Sequence, residues 1–464
     1  MTTTLRSERV LWPDGRIAPG VLTIDGPTIA ALDAPRRGRE VDVDYGSRFV
    51  TPALVDAHTH LALVALRGWD PGAAAGTNVV EDLFFGFEAQ LTAADVRALT
   101  RIGAYECLLQ GIGFVWEHYY EAEAVAAGLR DVGLAGVVAP TLQDLGGPGR
   151  DAPDVALQAA VDLTDARWSA SGIYAAVGPH ATDTVSGELF RRAVAVARRH
   201  DLPLHLHLAQ SPEERDRIAH REGMTPVAWL DRLGVLDAAP LVLAHAIFVP
   251  ERDLRRLAEV DATLVYCPYA AYLFGFPASF AAWEDAGVDW ALATDAPCSN
   301  DTINLQLELR ALAAGRALRA THHPAYARYL AGGAGHEAAA AWHVRQHHHQ
   351  RTPEPAAVWS RVCAVPGRIH PAVTVGTLAP GALANLAVWD LDHPALWPAH
   401  EPLRTLCAAD ATKGLYAMWT LGQRRGEDGR LAASLVGSDD YREARREANA
   451  RLAHLIAGLR RPSR

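Results

Sequence analysis

Short apolar runs alternate with helical segments through the middle of the chain. From about residue 51 to residue 320, each run has the length of a strand and is followed by a stretch whose apolar residues have helical spacing. The helical stretch that begins at Thr92 has Asp95 three positions later, a pair typical of a capping box. The strand-like runs lie near residues 49–56, 113–119, 135–142, 173–179, 203–209, 240–247, 262–267 and 288–294. Eight strand-then-helix units predict an α/β fold, a (β/α)8 TIM barrel.

The two ends of the chain share a different pattern, in which short strands are broken by turns. Pro13-Asp14-Gly15 is one such turn near the start, and Ala379-Pro380-Gly381 is one near the end. Two β-rich ends that flank a barrel predict a small β-sandwich domain formed from both termini. We therefore expect its N-terminal part at 1–50, the barrel at 51–373, its C-terminal part at 374–435 and a C-terminal helix within 436–464.

Composition and charge narrow the range of partners. The chain has 464 residues, of which 49% are hydrophobic and 21% charged, as in ordinary globular proteins. Its net charge of -10 favours solubility and argues against nucleic acid as a partner.

The five cysteines are scattered without CxxC spacing, which indicates reduced thiols in the cytoplasm. The sequence has no apolar signal core at its start and no apolar stretch of the roughly 18 residues that a membrane span needs, so we expect no membrane partner.

Side chains that can bind metal stand at the tails of several predicted strands. His58 and His60 close the first run, His207 the fifth, His245 the sixth and Asp295 the eighth. Residues two apart on a strand point to the same face, so the first two histidines can bind one ion together. Because all strand tails of an α/β barrel meet at one face, we expect these side chains to converge. They predict a metal site with an open coordination position.

Several motifs in this order carry a resemblance to a known group. They are the run from Thr51 to His60, His207-Leu208-Ala209, Ala244-His245, Thr294-Asp295 with Ser299-Asn300-Asp301, and the run from Gly376 to Gly381. With these motifs the sequence resembles the amidohydrolase superfamily, in the branch that contains atrazine chlorohydrolase, S-adenosylhomocysteine deaminase and guanine deaminase. The resemblance covers nearly the whole chain. It implies a barrel with a terminal β domain, and relatives in this branch are often dimers or larger, which implies a homodimer or higher homo-oligomer.

The resemblance also implies a cofactor and roles for individual residues. It implies one divalent metal ion, usually zinc, held by His58, His60, His207 and Asp295, with a water in the open position. Iron or manganese would suit the same ligands, and their spacing does not choose among the metals. Asp295 would take a proton from the water and pass it to the leaving group. His245 would form a hydrogen bond with the water or with the substrate atom under attack.

Further polar residues are candidates for contact with the substrate. Glu88 and His180 resemble substrate-contacting residues of the branch. His118 lies in the aromatic tail of the second strand, where rings could stack on a planar heterocycle. His205 shares a strand face with His207 but lies one step deeper, so we expect it beside the ligands rather than among them.

One position departs from the pattern of the deaminating relatives. They have a glutamate three residues after the fifth-strand histidine, where it shuttles protons, and this chain has Gln210. An amide forms hydrogen bonds but cannot carry a proton through that cycle, so Gln210 is expected to contact substrate only. Glu213 or Glu214 is an alternative shuttle, although both belong to the predicted first turn of the next helix, where acids favour the helix dipole.

Together these features predict an enzyme, a metal-dependent hydrolase that uses metal-bound hydroxide to attack an sp² carbon of a small nitrogen heterocycle. The bond cleaved would be a non-peptide C–N bond, as in an aminohydrolase, a deaminase or a cyclic amidase. Because of Gln210, two alternatives stay open: a hydrolytic dechlorinase, and a non-catalytic protein that binds a ligand at its metal site. In each case the expected partner is a small molecule.

Overall fold

The computed structural model describes residues 2–38, 40–68, 78–277, 279–321, 323–350 and 353–458. Within these ranges the chain forms seventeen strands, numbered here in chain order. They are β1 (Thr2–Leu11), β2 (Ile17–Asp25), β3 (Thr28–Asp33), β4 (Val43–Asp44), β5 (Phe49–Pro52), β6 (Leu54–Thr59), β7 (Ile112–Tyr119), β8 (Ala135–Leu142), β9 (Ile173–Ala175), β10 (Gly178–Pro179), β11 (Leu204–Leu208), β12 (Leu241–His245), β13 (Ala262–Tyr266), β14 (Asp289–Leu292), β15 (Leu386–Trp389), β16 (Leu415–Thr420) and β17 (Gln423–Arg425).

The same ranges contain nineteen α-helices, nine of which come directly after a strand in the element order. They are α1 (Phe85–Glu88), α2 (Ala93–Leu109), α3 (Ala122–Val132), α4 (Pro153–Asp162), α5 (Ala166–Ser169), α6 (Gly187–His200), α7 (Pro212–Glu222), α8 (Pro226–Arg232), α9 (Glu251–Leu257), α10 (Pro268–Leu273), α11 (Phe280–Ala286), α12 (Leu305–Thr321), α13 (Pro324–Leu330), α14 (His336–Gln350), α15 (Pro355–Ser360), α16 (Ala364–Gly367), α17 (Pro402–Ala408), α18 (Leu431–Val436) and α19 (Asp439–Gly458). Short 3-10 helices cover Leu61–Leu66 and Ala411–Gly414, and a single π turn covers Val80–Phe84.

Strands β6 to β14 form the predicted barrel. β6, β7, β8 and β10 pair in parallel in one sheet with β9 beside β8, and β11 to β14 pair in parallel in a second sheet. Parallel bridges join the two sheets at Val177 with Leu204, at Ala181 with His207, and at Thr59 with Asp295. The ring is therefore closed, and the prediction of a TIM barrel is confirmed. Its strands are buried on both faces, which explains why they appear in the sequence as continuous apolar runs.

The first predicted run, at residues 49–56, proves to be two strands that belong to different sheets. β5 pairs with β1 and β15, whereas β6 is the first strand of the barrel. Ala53, between them, donates its N–H to Asn385 O at 2.9 Å. Both strands are fully buried, so the apolar pattern continues without a break while the chain changes sheets.

Strands from both ends of the chain meet in one mixed sheet of eight strands. Its order is β17-β16-β15-β5-β1-β2-β3, and β4 pairs with β1. A cluster of buried apolar side chains covers one face of this sheet, including Leu5, Val50, Leu386 and Trp419. The sheet therefore fixes β5, and the barrel strand that follows it, against the C-terminal part of the chain.

Several local predictions also agree with the structure. The capping box at the start of α2 is present: Thr92 Oγ1 accepts from Asp95 N at 3.3 Å, and Thr92 N donates to Asp95 Oδ2 at 2.9 Å. All five cysteines are unpaired thiols. Among the helices of the described ranges, none combines the length and the apolar character needed to cross a lipid bilayer.

Candidate metal centre and active-site pocket

Four of the predicted ligands converge where the barrel strands end. The Nε2 atoms of His60 and His207 are 3.3 Å apart. Asp295 Oδ1 lies 3.7 Å from His58 Nε2 and 3.6 Å from His60 Nε2. Bonds of about 2.0–2.1 Å from one zinc ion to two nitrogens leave those nitrogens about 3–4 Å apart. The observed separations therefore suit ligands that share one ion.

Each of the three histidines is anchored through its other ring nitrogen. His60 Nδ1 donates to the carbonyl oxygen of His118 at 2.7 Å, and His207 Nδ1 donates to that of His180 at 2.8 Å. A carbonyl oxygen only accepts, so in both rings Nδ1 carries the hydrogen and Nε2 keeps a lone pair for a metal. His58 Nδ1 instead lies 2.8 Å from Nε2 of His205, the histidine expected beside the ligands. Such anchoring is typical of metal-binding histidines.

Buried atoms without partners mark the point where these side chains meet. Within the described residues, the Nε2 atoms of His58 and His245 are buried and form no hydrogen bond. An unpaired buried polar atom is costly, and a metal ion or a ligand would remove that cost. Burial also lowers the pKa of His60 to about 3 and that of His207 to about 4, so both imidazoles are neutral, as metal ligands must be. The residues present therefore fit a divalent cation.

His245 and Asp295, the two predicted catalytic residues, have unusual backbone conformations. Their φ angles are 71° and 62°, in the left-handed region that non-glycine residues rarely adopt. Such conformations persist where the surroundings enforce them, and they are concentrated at functional sites. Asp295 N donates to His58 O at 3.1 Å, which ties the tail of the eighth barrel strand to the first. Burial raises the pKa of Asp295 to about 7.

Two buried carboxylates support the ligand-bearing strands, and sequence reasoning did not assign a role to either. Asp56 accepts from Thr294 N at 3.0 Å and from Thr294 Oγ1 at 2.7 Å, next to Asp295. Glu117 accepts from Thr59 Oγ1 at 2.5 Å and from Leu61 N at 2.8 Å, on either side of His60. The signal available in the sequence was an acid inside an otherwise apolar strand, since burying an acid is costly unless it has partners.

A pocket opens from this point toward the rim of the barrel. It is lined by His60, Leu63, Val80, Phe84, Phe85, Glu88, His118, Tyr119, Tyr120, Thr141, His180, His207, Gln210, His245, Phe274 and Asp295. All four residues predicted to contact substrate, Glu88, His118, His180 and Gln210, are among them. A mixture of aromatic rings and a few polar groups is typical of sites that bind small planar molecules.

Two of the pocket histidines outside the ligand group, His118 and His180, are each held by a threonine hydroxyl. His118 Nδ1 lies 3.0 Å from Thr141 Oγ1, and His180 Nδ1 lies 2.8 Å from Thr184 Oγ1. His118 Nε2 is buried and has no partner among the described residues. These contacts leave one ring nitrogen of each histidine to contact a bound molecule.

Glu88 is the last residue of α1 and forms part of the pocket wall next to Tyr119 and Tyr120. Burial raises the pKa of its carboxyl to about 8. At neutral pH the group is therefore largely a neutral acid, which can donate a hydrogen bond as well as accept one.

The structure does not favour a nearby glutamate as a substitute for the missing shuttle. Gln210 lines the pocket, but Glu214 is not among the lining residues. Glu214 accepts from Gln210 N at 2.8 Å and from Thr182 Oγ1 at 2.5 Å. Glu213 is exposed to solvent. Both acids lie in the first turn of α7, as the sequence predicted.

Comparisons with known proteins show what the chain is similar to in sequence and in fold. The sequence profile of the amidohydrolase family matches residues 49–333. A 5-methylthioadenosine/S-adenosylhomocysteine deaminase of Halobacterium salinarum is 30% identical over 419 residues, which cover 88% of this chain and 89% of that protein. A zinc-bound adenosine deaminase structure from Xanthomonas campestris has a TM-score of 0.78 at 22% identity and covers 97% of this chain and 98% of its own. A zinc complex of atrazine chlorohydrolase from Arthrobacter aurescens has a TM-score of 0.78 at 21% identity, with coverages of 98% and 99%.

Proposed function

The chain belongs to the amidohydrolase family, and from this premise we propose that it is a metal-dependent aminohydrolase. It cleaves a non-peptide C–N bond at an sp² carbon of a small nitrogen heterocycle. The observation that carries this proposal is the arrangement of three imidazoles and one carboxylate around one point. Two of these imidazoles are fixed through Nδ1 by backbone carbonyls, so that their Nε2 atoms face that point.

The proposed cofactor is one zinc ion, held by His58, His60, His207 and Asp295. Three nitrogens and one oxygen suit zinc, with iron or manganese as alternatives, and zinc is present in two proteins of the same fold. When bound, the ion lowers the pKa of a coordinated water toward about 7 and so supplies the nucleophile at neutral pH.

The proposed catalytic groups of the chain are Asp295 and His245. Asp295, whose pKa is raised by burial, accepts the proton of the attacking water and returns it to the departing nitrogen. His245 Nε2, which has no partner among the described residues, forms a hydrogen bond with the attacked part of the substrate. Their strained backbone holds both side chains in place before the substrate binds.

The proposed substrate is a planar heterocycle that stacks in the pocket. Phe84, Phe85 and Tyr120 supply ring faces, and polar contacts come from Glu88, His118, His180 and Gln210. Glu88 in its neutral form can donate to an acceptor on the ring or on its substituent. Because the relative from Halobacterium salinarum is named as a deaminase of adenosine derivatives, an amino-substituted purine is the first candidate.

A second candidate reaction follows from Gln210, which lines the pocket where a proton-carrying acid would otherwise act. The amide can align a substrate but cannot protonate a ring nitrogen. Substrates whose leaving group departs without that protonation, such as a cyclic amide or a halogenated ring, suit this pocket as well.

A panel of substrates separates the two reactions. The zinc-loaded protein is incubated with aminopurines, aminopyrimidines, cyclic ureides and chlorotriazines, and ammonia, ring-opened acid and chloride are measured for each. Ammonia from an aminopurine is the expected result, and release of only acid or chloride would favour the second candidate. If the protein consumes none of the compounds in the panel, the result would support a ligand-binding protein instead.

Three wider features are also proposed. The mixed sheet of both ends supports a small β-sandwich domain with parts at 1–50 and 374–435, beside a barrel at 51–373 and a terminal helix within 436–464. Five unpaired cysteines support a cytoplasmic location. A homodimer or higher homo-oligomer is expected from the branch, and light scattering on the purified protein tests it.

A further inference from the structure

One wall of the pocket is carried by a short irregular stretch of helix that belongs to no sheet. This stretch, called here the wall segment, consists of the π turn Val80–Phe84 and of α1. It contributes four residues to the pocket lining, Val80, Phe84, Phe85 and Glu88. Each residue of the π turn is at least partly exposed. Because strand pairing does not hold the wall segment, its position depends on contacts with the neighbouring loops and helices.

Arg217 joins the wall segment to the barrel. Its Nη2 donates to Glu81 Oε2 at 3.2 Å, and its Nη1 donates both to Glu81 Oε1 and to Asp183 Oδ2, the latter at 3.0 Å. Arg217 belongs to α7, and Asp183 lies in the loop after β10. A planar guanidinium with two hydrogen bonds to one carboxylate fixes the geometry better than a single charge contact does. One side chain therefore connects three separate segments around the pocket.

The barrel end of this connection is held at several points. The side chain of Asp183 is only 10% exposed, compared with 37% for Glu81. Arg221, one turn further along α7, donates to Thr182 O at 2.7 Å and to Asp183 O at 3.2 Å. Thr182 Oγ1 in turn donates to Glu214 Oε1 at 2.5 Å. α7 and the loop after β10 thus form one unit, and Arg217 binds the wall segment to this unit through Glu81.

Glu81 lies in the same turn as the ring that faces His180. Phe85 N donates to Val80 O across the π turn, and the ring centroid of Phe85 lies 5.5 Å from that of His180. A shift of Glu81 would therefore move Phe85 and widen the pocket where a planar ring would stack. Neither Glu81 nor Arg217 is among the lining residues, so the pair can act on a bound molecule only through the wall segment.

We propose that Arg217 and Glu81 are positioning residues, which hold the wall segment against the pocket and so set the affinity for the substrate. The inference rests on the proposed function, because the molecule bound there is its heterocyclic substrate. The pair lies outside the pocket and touches no reacting atom. Its loss should therefore raise KM and leave kcat nearly unchanged, since it removes an interaction that contributes equally to the bound ground state and the transition state.

Kinetics of the zinc-loaded protein with an aminopurine test this role. Arg217→Gln and Glu81→Gln should each raise KM about two- to fivefold, the scale of an ion pair with exposed members, with kcat within about twofold of the wild type. The double variant should match Arg217→Gln, because the contact can be lost only once. Arg215→Gln and Asp82→Asn remove the same charges from exposed neighbours and serve as matched controls that should keep the wild-type KM. Additive effects of the two substitutions, or a fall in kcat without a rise in KM, would overturn the proposal.

Amide hydrogen exchange, followed by mass spectrometry, tests the contact without turnover. In Arg217→Gln and Glu81→Gln the amides of residues 80–88 should exchange about two- to fivefold faster than in the wild type, and those of the barrel strands at the wild-type rate. Unchanged exchange in both variants would overturn the inference whether or not the protein hydrolyses anything. Faster exchange with an unchanged KM for a hydrolysed substrate would also overturn it. Lack of turnover in the wild type would refute the proposed function instead, and exchange alone would then decide whether the pair holds the wall segment.

Discussion

Nδ1 of His58 lies 2.8 Å from Nε2 of His205, so one buried histidine orients another. The other two histidine ligands use backbone carbonyls for the same purpose. If Nε2 of His58 presents its lone pair to the metal, the hydrogen of the neutral ring is on Nδ1, which donates it to Nε2 of His205. The ring of His58 therefore depends on a side chain that mutation can remove, whereas the rings of His60 and His207 do not.

Replacement of His205 should weaken metal binding without removing a ligand. In His205→Leu the Nδ1–H of His58 loses its acceptor, and loss of such a partner typically costs about 10–100-fold in metal affinity. Zinc affinity is measured by competition with a chromophoric chelator. His205→Gln, whose amide oxygen can accept near the position of Nε2, is the control and should lose less. Equal affinities of the wild type and His205→Leu would contradict this positioning role.

His207→Ala should abolish both metal binding and turnover, because the variant lacks one of four proposed ligands and the remaining three no longer enclose the ion. Zinc content is measured by elemental analysis, and hydrolysis is followed with the best substrate of the panel. His220→Ala, at an exposed position in α7, is the control that should keep both properties. Full activity in His207→Ala would rule out the assigned site.

Gln210→Glu should raise deamination, since it supplies a carboxylate that can carry a proton to the ring and to the departing ammonia. General acid–base groups typically contribute about 10²–10⁴-fold, so a gain of about tenfold or more is expected where proton transfer limits the rate. The measurement is kcat for ammonia release from aminopurines. Gln210→Met keeps the length of the side chain without its polarity and should not gain. If no aminated heterocycle reacts faster with Gln210→Glu, the proton-shuttle argument fails.

Glu88 should make the stability of the protein depend on pH above neutrality. Burial raises the pKa of its carboxyl to about 8 in the folded protein, whereas an unfolded glutamate titrates near about 4.3. Because the folded-state pKa is the higher one, stabilisation by the neutral acid is fully present at low pH and is lost as pH rises through about 8. Between about pH 6 and about pH 9, the free energy of unfolding should fall by about 2–3 kcal/mol more in the wild type than in Glu88→Gln.

Urea unfolding of both proteins at the two pH values checks this expectation. Other buried acids titrate equally in both proteins, so the difference between the two reports on Glu88 alone. Parallel changes in the wild type and Glu88→Gln would show that the carboxyl titrates near its ordinary value in the folded protein.

Much of the site could be predicted because barrel topology converts position along the chain into position in space. His58, His60, His207, His245 and Asp295 each follow or end an apolar run, and parallel strands bring such tails to one face. This rule holds whichever strands are neighbours, so the convergence of the ligands could be predicted from the sequence alone.

Other features depend on contacts that the sequence does not encode locally. Asp56 binds Thr294, which is 238 positions away in the chain, so neither residue signals its partner. The division of residues 49–56 between two sheets was missed because both strands are buried and their apolar pattern is unbroken. The direction of the Glu214 side chain likewise depends on Thr182 and on the backbone of Gln210, which only the fold brings together.

If this chain hydrolyses an amino-substituted heterocycle with a metal held by its strand-tail histidines, the release of ammonia must depend on that metal. The most direct test measures ammonia release from an aminopurine by the purified protein in three states: zinc-loaded, stripped with a chelator, and stripped then reloaded with zinc. Release is expected in the first state, loss in the second and recovery in the third. Release that persists at the same rate after stripping, or the absence of release in all three states, would contradict it.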